Sequence, residues 1–298
     1  MQIPEIPNLI HYAIPFFVIT IIIEVILTVK VKLEEYEIKD ASTSILMGLG
    51  HVFLGIITKT MVLGIFLLLY KFRIFTISFT WWTWILLLFV EDLTYYWFHR
   101  ISHESRLFWA SHVVHHSSKK YNLSTALRQT WSGGFYTFIF WLPLILLGFH
   151  PVMVLVQMSI SLIYQYWIHT ELIKKMPKWF EAVFNTPSHH RVHHATNPQY
   201  LDRNHAGIFI IWDKFFSTFE PEVEKPVYGL VQNIETFNPL KIAFIEWYQM
   251  VKDFFTSKTT IINKFKYLIK PPGWKHDGTS ILSNDLRKKW EENKRTNF

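Results

Sequence analysis

The sequence predicts an all-α protein, a multi-pass membrane helical bundle with a histidine-rich helical cap on its cytoplasmic face. Three observations predict it. Of the 298 residues 50% are hydrophobic and only 18% are charged, against about a quarter charged in soluble domains. The apolar residues gather in stretches long enough for membrane helices. The polar stretches between them hold most of the basic residues and dense clusters of histidine. A chain of this length makes one large core or bundle, so residues 1–298 read as a single integral-membrane domain.

Residues 9–29 are nearly all apolar, and about 20 such residues span a bilayer as a helix. The stretch lacks a basic leader and a small-residue cleavage site, so it reads as an anchor, not a cleaved signal. A charged linker covers 30–40. A second apolar stretch runs over 45–70, broken by His51 and Lys59. A third runs over 74–98 and ends rich in Trp and Tyr, as at an interface belt. Residues 132–149 and 151–168 read as a helical hairpin, with the turn at His150-Pro151. Glu24 and Lys59 are costly at membrane depth and functional by default, unless the segment ends place them in water. The polar stretches 99–131 and 169–298 hold every basic residue except Lys30, Lys32, Lys39, Lys59, Lys71 and Arg73. By the positive-inside rule they face the cytoplasm, which leaves Lys71 and Arg73 on the far side. The membrane is then the endoplasmic reticulum in a eukaryote or the inner membrane in a bacterium. From residue 271 the chain is a polar, peripheral tail.

The net charge of +7 suits anionic lipid headgroups. Nucleic acid is the other standard partner of a basic chain, and the apolar content argues against it. With no Cys in the sequence, disulfides, iron–sulfur clusters, thiolate haem and Cys-based zinc are excluded. Leu107 breaks any H-E-x-x-H after His103-Glu104. No P-loop, G-x-S-x-G or G-x-G-x-x-G is present, so an internal nicotinamide or flavin site is unsupported.

Three histidine clusters carry the chemistry: His99 with His103; His112, His115 and His116; and His189, His190, His193 and His194. Spacings of three and four bring side chains onto one helix face. The first cluster ends the third apolar stretch, the second follows nine residues later, and His169 ends the fifth stretch. All can converge at one membrane face. Neutral imidazole binds iron, zinc, copper and nickel. His99, His103, His112, His115, His116, His169, His190, His193 and His194 make nine candidates, whereas one tetrahedral zinc takes four. Nine suggest two metals of higher coordination number, which favours two iron ions. Gln165, four residues before His169, can add a position directly or through water, and His189 is a further candidate. Glu104 is placed to receive a histidine N–H, as is Asp92. His11, His51, His150 and His276 stand alone and read as packing, interface or turn residues. A membrane metal carrier is the different-class alternative, but it predicts fewer ligands, mixed with carboxylates inside spanning segments.

This pattern over residues 85–220 resembles the fatty acid hydroxylase/sterol desaturase superfamily of membrane di-iron oxygenases. Within it, Glu91-Asp92 through Glu104, Trp109-Ala-Ser-His112-Val-Val-His115-His116, Tyr121 through Gln129, Tyr164 through Glu171, Asn185 through His194 and Ile211 through Glu220 are similar to the alkylglycerol monooxygenase family. That resemblance implies a tetrahydrobiopterin-dependent monooxygenase, catalytic over 99–220, that hydroxylates an ether lipid beside its ether oxygen and so cleaves it. A sterol C4-methyl oxidase or a fatty acid hydroxylase is the alternative within the superfamily. His205 stands where the family carries an aromatic residue. Without Cys or nucleotide motifs, the chain takes electrons from an external donor, either a pterin or a ferredoxin or cytochrome partner. Arg128 and Gln129 either bind a glycerol head or pterin ring, or stabilise their own loop.

Overall fold

The computed structural model describes residues 9–30 and 36–296. Among them the structure is helical, with β pairing limited to two isolated bridges. Helix α1 (Leu9–Lys30) and helix α2 (Ile38–Tyr70) follow the first two apolar stretches. They are the two helices among the described residues long and apolar enough to cross a membrane. Each is apolar all round and buries little of its surface in the protein, as a lipid-facing helix does. Helix α2 starts ahead of the apolar stretch because Asp40 and Ser44 turn inward to polar partners. The middle of the charged linker, residues 31–35, lies outside the described residues.

Helix α3 (Trp81–Glu104) opens on a capping box made by Thr80 and Thr83. It runs straight through the end of the third apolar stretch and carries His99 and His103 on its last turns. One face buries Glu91, Asp92, Tyr95, Tyr96 and His99, and this polar content keeps α3 from counting as an apolar span. Helix α4 (Arg106–His116) turns back after Ser105 and packs on α3.

Residues 132–149 do not form the full-length helix expected from their apolarity. They make two short 3-10 turns and then helix α5 (Leu142–Leu147). Gly133-Gly134 opens the stretch, and a Cβ on Gly134 would lie 2.9 Å from the Thr58 hydroxyl, so the chain passes closely over α2. The expected turn at His150-Pro151 is present. Gly148 precedes it at φ +115, where a Cβ would meet the Phe75 carbonyl oxygen at 2.1 Å, so only glycine fits. The His150 ring then accepts the Val152 N–H and caps helix α6 (Pro151–Trp167).

The rest is cap: α7 (Lys178–Val183), α8 (Pro187–His194), α9 (Ile211–Phe215), α10 (Pro239–Thr256), α11 (Ile261–Ile269) and α12 (Ser283–Thr296). The main apolar core joins Val62 and Phe66 of α2, Leu87 and Tyr95 of α3, Trp141, Leu144 and Ile145 around α5, and Met153 and Val154 of α6. A smaller cluster, Met47, Val114, Ile242 and Ala243, fastens α4 and α10 to the early turns of α2. The buried Glu24 ties α1 to the cap. Its carboxylate accepts the Leu123 N–H at 2.7 Å and the hydroxyls of Tyr36 and Thr170. Lys59, by contrast, is exposed on α2.

Candidate metal centre

Helical spacing delivers the imidazoles to one place. His99 and His103 share a face of α3, His112 and His116 share a face of α4, and His115 lies one step round from His116. Helix α8 supplies His190, His193 and His194, and His169 follows the end of α6. The structure sorts these nine into two groups able to hold a metal ion. One is His99, His103, His112, His116 and His193; the other is His115, His169, His190 and His194. Within each group the ligand atoms all lie within 4.8 Å of one another.

The Nε2 atoms face each other in runs. In the first group His99 meets His112 at 3.0 Å, His112 meets His116 at 3.1 Å and His116 meets His193 at 3.1 Å. In the second, His115 meets His169 at 3.2 Å, His169 meets His190 at 3.0 Å and His190 meets His194 at 3.2 Å. Hydrogen bonds between neutral rings do not explain these contacts. The Nδ1–H groups of His99, His193 and His169 donate to the carbonyls of His205, Arg203 and Gln165 at 2.8, 2.9 and 2.7 Å. That of His115 donates to the Arg128 carbonyl at 3.4 Å. These bonds fix the tautomer and leave Nε2 with a lone pair. In the His115–His169 contact two lone pairs therefore point at one another. Burial, and then repulsion between neighbouring imidazolium charges, holds His112, His116, His193 and His194 well below their ordinary pKa. The rings are thus neutral donors. A buried His103 Nε2 with no partner adds to the first group. The donor set fits two cations of the imidazole-binding kind.

The supports of these rings were mostly not among the sequence candidates. The carboxylate on His103 Nδ1 is Asp202, at 3.2 Å, whereas Glu104 is half exposed and pairs with Arg100. Asp202 has φ +52, a left-handed conformation that Asp tolerates, and this aims its side chain back at α3. Asp92 receives the N–H groups of Ile208 and Phe209 and the Trp212 indole rather than a histidine. Asp213 receives the N–H groups of His205 and Ala206, both at 2.8 Å. Together these two acids fix the loop whose carbonyls orient His99 and His193. Arg191, inside the third cluster, makes a two-pronged pair with Glu222 and donates to the carbonyls of Thr170, Ile173 and Lys174. It thereby locks the segment after His169 to α8. A lone Arg or Asp has no periodicity, so these partners left no signal beyond lying near a cluster.

Other candidates fall elsewhere. The Gln165 side chain donates to Ser161 at 3.1 Å, so only its backbone serves His169. His189 points to the Phe219 ring and belongs to neither group. Arg128 is buried against Asp40, with Ser117 and Ser44 completing its bonds, and Gln129 bonds the Ala126 carbonyl; both stabilise their loop. His205 packs beside His99 and His103 without joining the first group. His51 bonds the Thr130 carbonyl and His276 the Tyr267 hydroxyl; the side chain of His11 lies outside the described residues. A cavity of about 850 Å³ reaches His103, His116, His193 and His194 from between α4 and α10. Residues 271–275 with Ile281, Ser283 and Leu286 also line it, so the polar tail helps to wall the site.

Residues 84–218 match the fatty acid hydroxylase family. The alkylglycerol monooxygenase of Danio rerio is 40% identical over 276 residues, which cover 91% of this chain and 61% of that protein. The Homo sapiens protein of the same name is 39% identical over 275 residues, again 91% and 61% of the two chains. That of Caenorhabditis elegans is 43% identical over 209 residues, 65% of this chain and 40% of that protein. The chain thus spans about three fifths of the length of the vertebrate relatives. No solved structure matches it.

Proposed function

We propose, from the match of residues 84–218 to the fatty acid hydroxylase family, that this chain is a membrane di-iron monooxygenase that cleaves the ether bond of alkylglycerols to a fatty aldehyde and a glycerol derivative. The observation that carries the reading is the pair of buried imidazole groups with unprotonated Nε2 atoms turned on each other. The substrate class rests on the alkylglycerol monooxygenases it is similar to. In this reading His99, His103, His112, His116 and His193 hold one iron, and His115, His169, His190 and His194 hold the other. Bound iron supplies the activation of O₂ and the insertion of one oxygen atom into a C–H bond, chemistry that no side chain offers.

The chain's own residues bind and orient. Asp202 and the carbonyls of His205, Arg203, Gln165 and Arg128 keep five imidazoles in the ligand tautomer. In this reading the cavity takes the lipid against His103, His116, His193 and His194; Trp109 and Val113 add apolar lining, and Gln232, Asn233 and Lys241 offer polar groups to the glycerol head. The C–H carbon beside the ether oxygen gains a hydroxyl. The other oxygen atom leaves as water, with two protons and two electrons from an external donor. The resulting hemiacetal breaks its ether C–O bond to release the aldehyde. The donor is tetrahydrobiopterin in this reading. In this reading helices α1 and α2 cross the membrane, α5 and α6 pack against them and α3 against α6 in a multi-pass bundle, and the histidine groups face the cytoplasm. The membrane is the endoplasmic reticulum in a eukaryote or the inner membrane in a bacterium.

The test is aldehyde release from 1-O-alkylglycerol by membranes carrying the protein, given O₂ and tetrahydrobiopterin, with His193→Ala membranes as control. Activity with a ferredoxin but never with a pterin replaces the donor. Turnover of a sterol or free fatty acid, with none of the ether lipid, rejects the substrate.

A further inference from the structure

We propose that α10 and α11 form a hairpin lying in the membrane interface on an anionic lipid surface, so that the lip of the cavity sits at the level of the lipid headgroups. The exposed apolar residues of α10 are Leu240, Phe244, Tyr248, Val251 and Phe255. Their spacing of four, four, three and four makes one narrow stripe along the whole helix. In α11 the exposed set is Ile261, Ile262, Phe265 and Ile269, again one stripe. The two helices pack on each other, with Phe254 and Phe265 edge to face at 5.5 Å.

This outer stripe is not spare core. The inner face of α10 is already used: Ile242, Ala243 and Met250 are buried, and Glu246 and Asp253 hold Arg106 of α4 at 2.6 and 2.7 Å. The occupant is identified by charge and by continuity. Residues 254–275 contain no acidic side chain and carry Lys258, Lys264, Lys266, Lys270 and Lys275. A basic helix that exposes an apolar stripe is the signature of interfacial binding to anionic lipid. At its start the stripe adjoins the apolar skin of α2. Phe244 borders Trp131, whose indole donates to the Met47 carbonyl of α2 at 2.9 Å. An apolar groove beside this contact is lined by Ser132, Phe135, Tyr136, Phe244 and Trp247. Because the opposite face of α10 lines the cavity through Lys241, Ile245, Glu246 and Gln249, a lipid leaving the membrane meets the cavity across a single helix.

The inference rests on the reading of α1 and α2 as membrane helices, and the experiment separates the two. The chain has no native cysteine, so single-cysteine variants carry one nitroxide label each without further changes. Phe255→Cys and Phe265→Cys probe the hairpin, Phe53→Cys the exposed apolar face of α2, and Lys289→Cys the polar α12. The full chain goes into vesicles of phosphatidylcholine with phosphatidylglycerol, and collisions with O₂ are compared with those of a water-soluble nickel chelate. The ratio of O₂ to nickel collisions at Phe255 and Phe265 is expected to be several-fold above that at Lys289 and to follow that at Phe53. Ratios at 255 and 265 equal to that at 289, with a lipid-like ratio at 53, overturn this inference alone. A water-like ratio at 53 as well overturns the membrane reading with it. Labels at 255 and 265 immobilised and reached by neither collider show a second copy or another protein on the stripe, which also overturns it.

Discussion

Asp202 sits on His103 without being part of any histidine cluster, yet it fixes which nitrogen of that ring faces the metal group. Losing such an outer partner costs about 10–100-fold in metal affinity or activity. Asp202→Ala is expected to fall in that range, with Asp202→Asn milder because its amide oxygen still accepts the N–H. Glu104→Ala should be close to the parent, since Glu104 only pairs with Arg100 at the surface; a loss there as large as at Asp202 would contradict the geometry. The two groups also predict a separable metal content. His193→Ala should lose metal chiefly from the five-histidine group, and His169→Ala from the four-histidine group. Elemental analysis of anaerobically purified protein reads both, and each should abolish turnover. His276→Ala, bonded only to Tyr267, should change neither metal nor rate.

The loop after α4 is held to α2 by one buried ion pair. Arg128 and Asp40 meet at 2.9 Å with side chains 2% and 5% exposed, and Ser118 donates to the same carboxylate. Removing one partner of a buried pair typically costs about 3–5 kcal/mol, because the other charge is left uncompensated. Arg128→Ala should lower the unfolding free energy by that order, read as a shifted denaturation midpoint, and Arg128→Met with Asp40→Asn should recover part of it. Full additivity of the two changes would show that the pair does not act as a unit. At this scale the sequence was readable where periodicity speaks. Helices α1 to α4, the turn at His150-Pro151 and the nine clustered histidines all follow from apolar runs or from spacings of three and four. It misled where apolarity stood in for helix, as in residues 132–141, whose Gly-Gly start lets them wrap closely over α2. It was silent on Asp202, Arg191 and Asp213, which act on partners 8 to 99 residues away in the chain and follow no repeat.

For the whole molecule, the cap is built around neutral rings. Burial holds His115 at about 4 against an ordinary 6.5, and its neighbours His116 and His194 also lie well below the ordinary value. Between these values the unfolded chain binds more protons than the folded one, so stability of the metal-free protein rises with pH across that window. Chelator-treated protein should therefore melt at a lower temperature near pH ~5 than near pH ~7, and a flat profile would argue against the buried cluster. A metal held by these groups favours the folded arrangement over the unfolded chain, so chelation of the loaded protein should lower its melting temperature at neutral pH. Helix α4 gives one last result. His115 and His116 are neighbours in the chain yet serve different groups. The two sites are therefore teeth on one rigid rod, and neither can tighten without turning the other into register. Metal uptake should accordingly be cooperative: the first ion sets the angle of the rod and the second binds more tightly than the first, while a chain lacking a ligand of one group keeps the ion of the other more weakly.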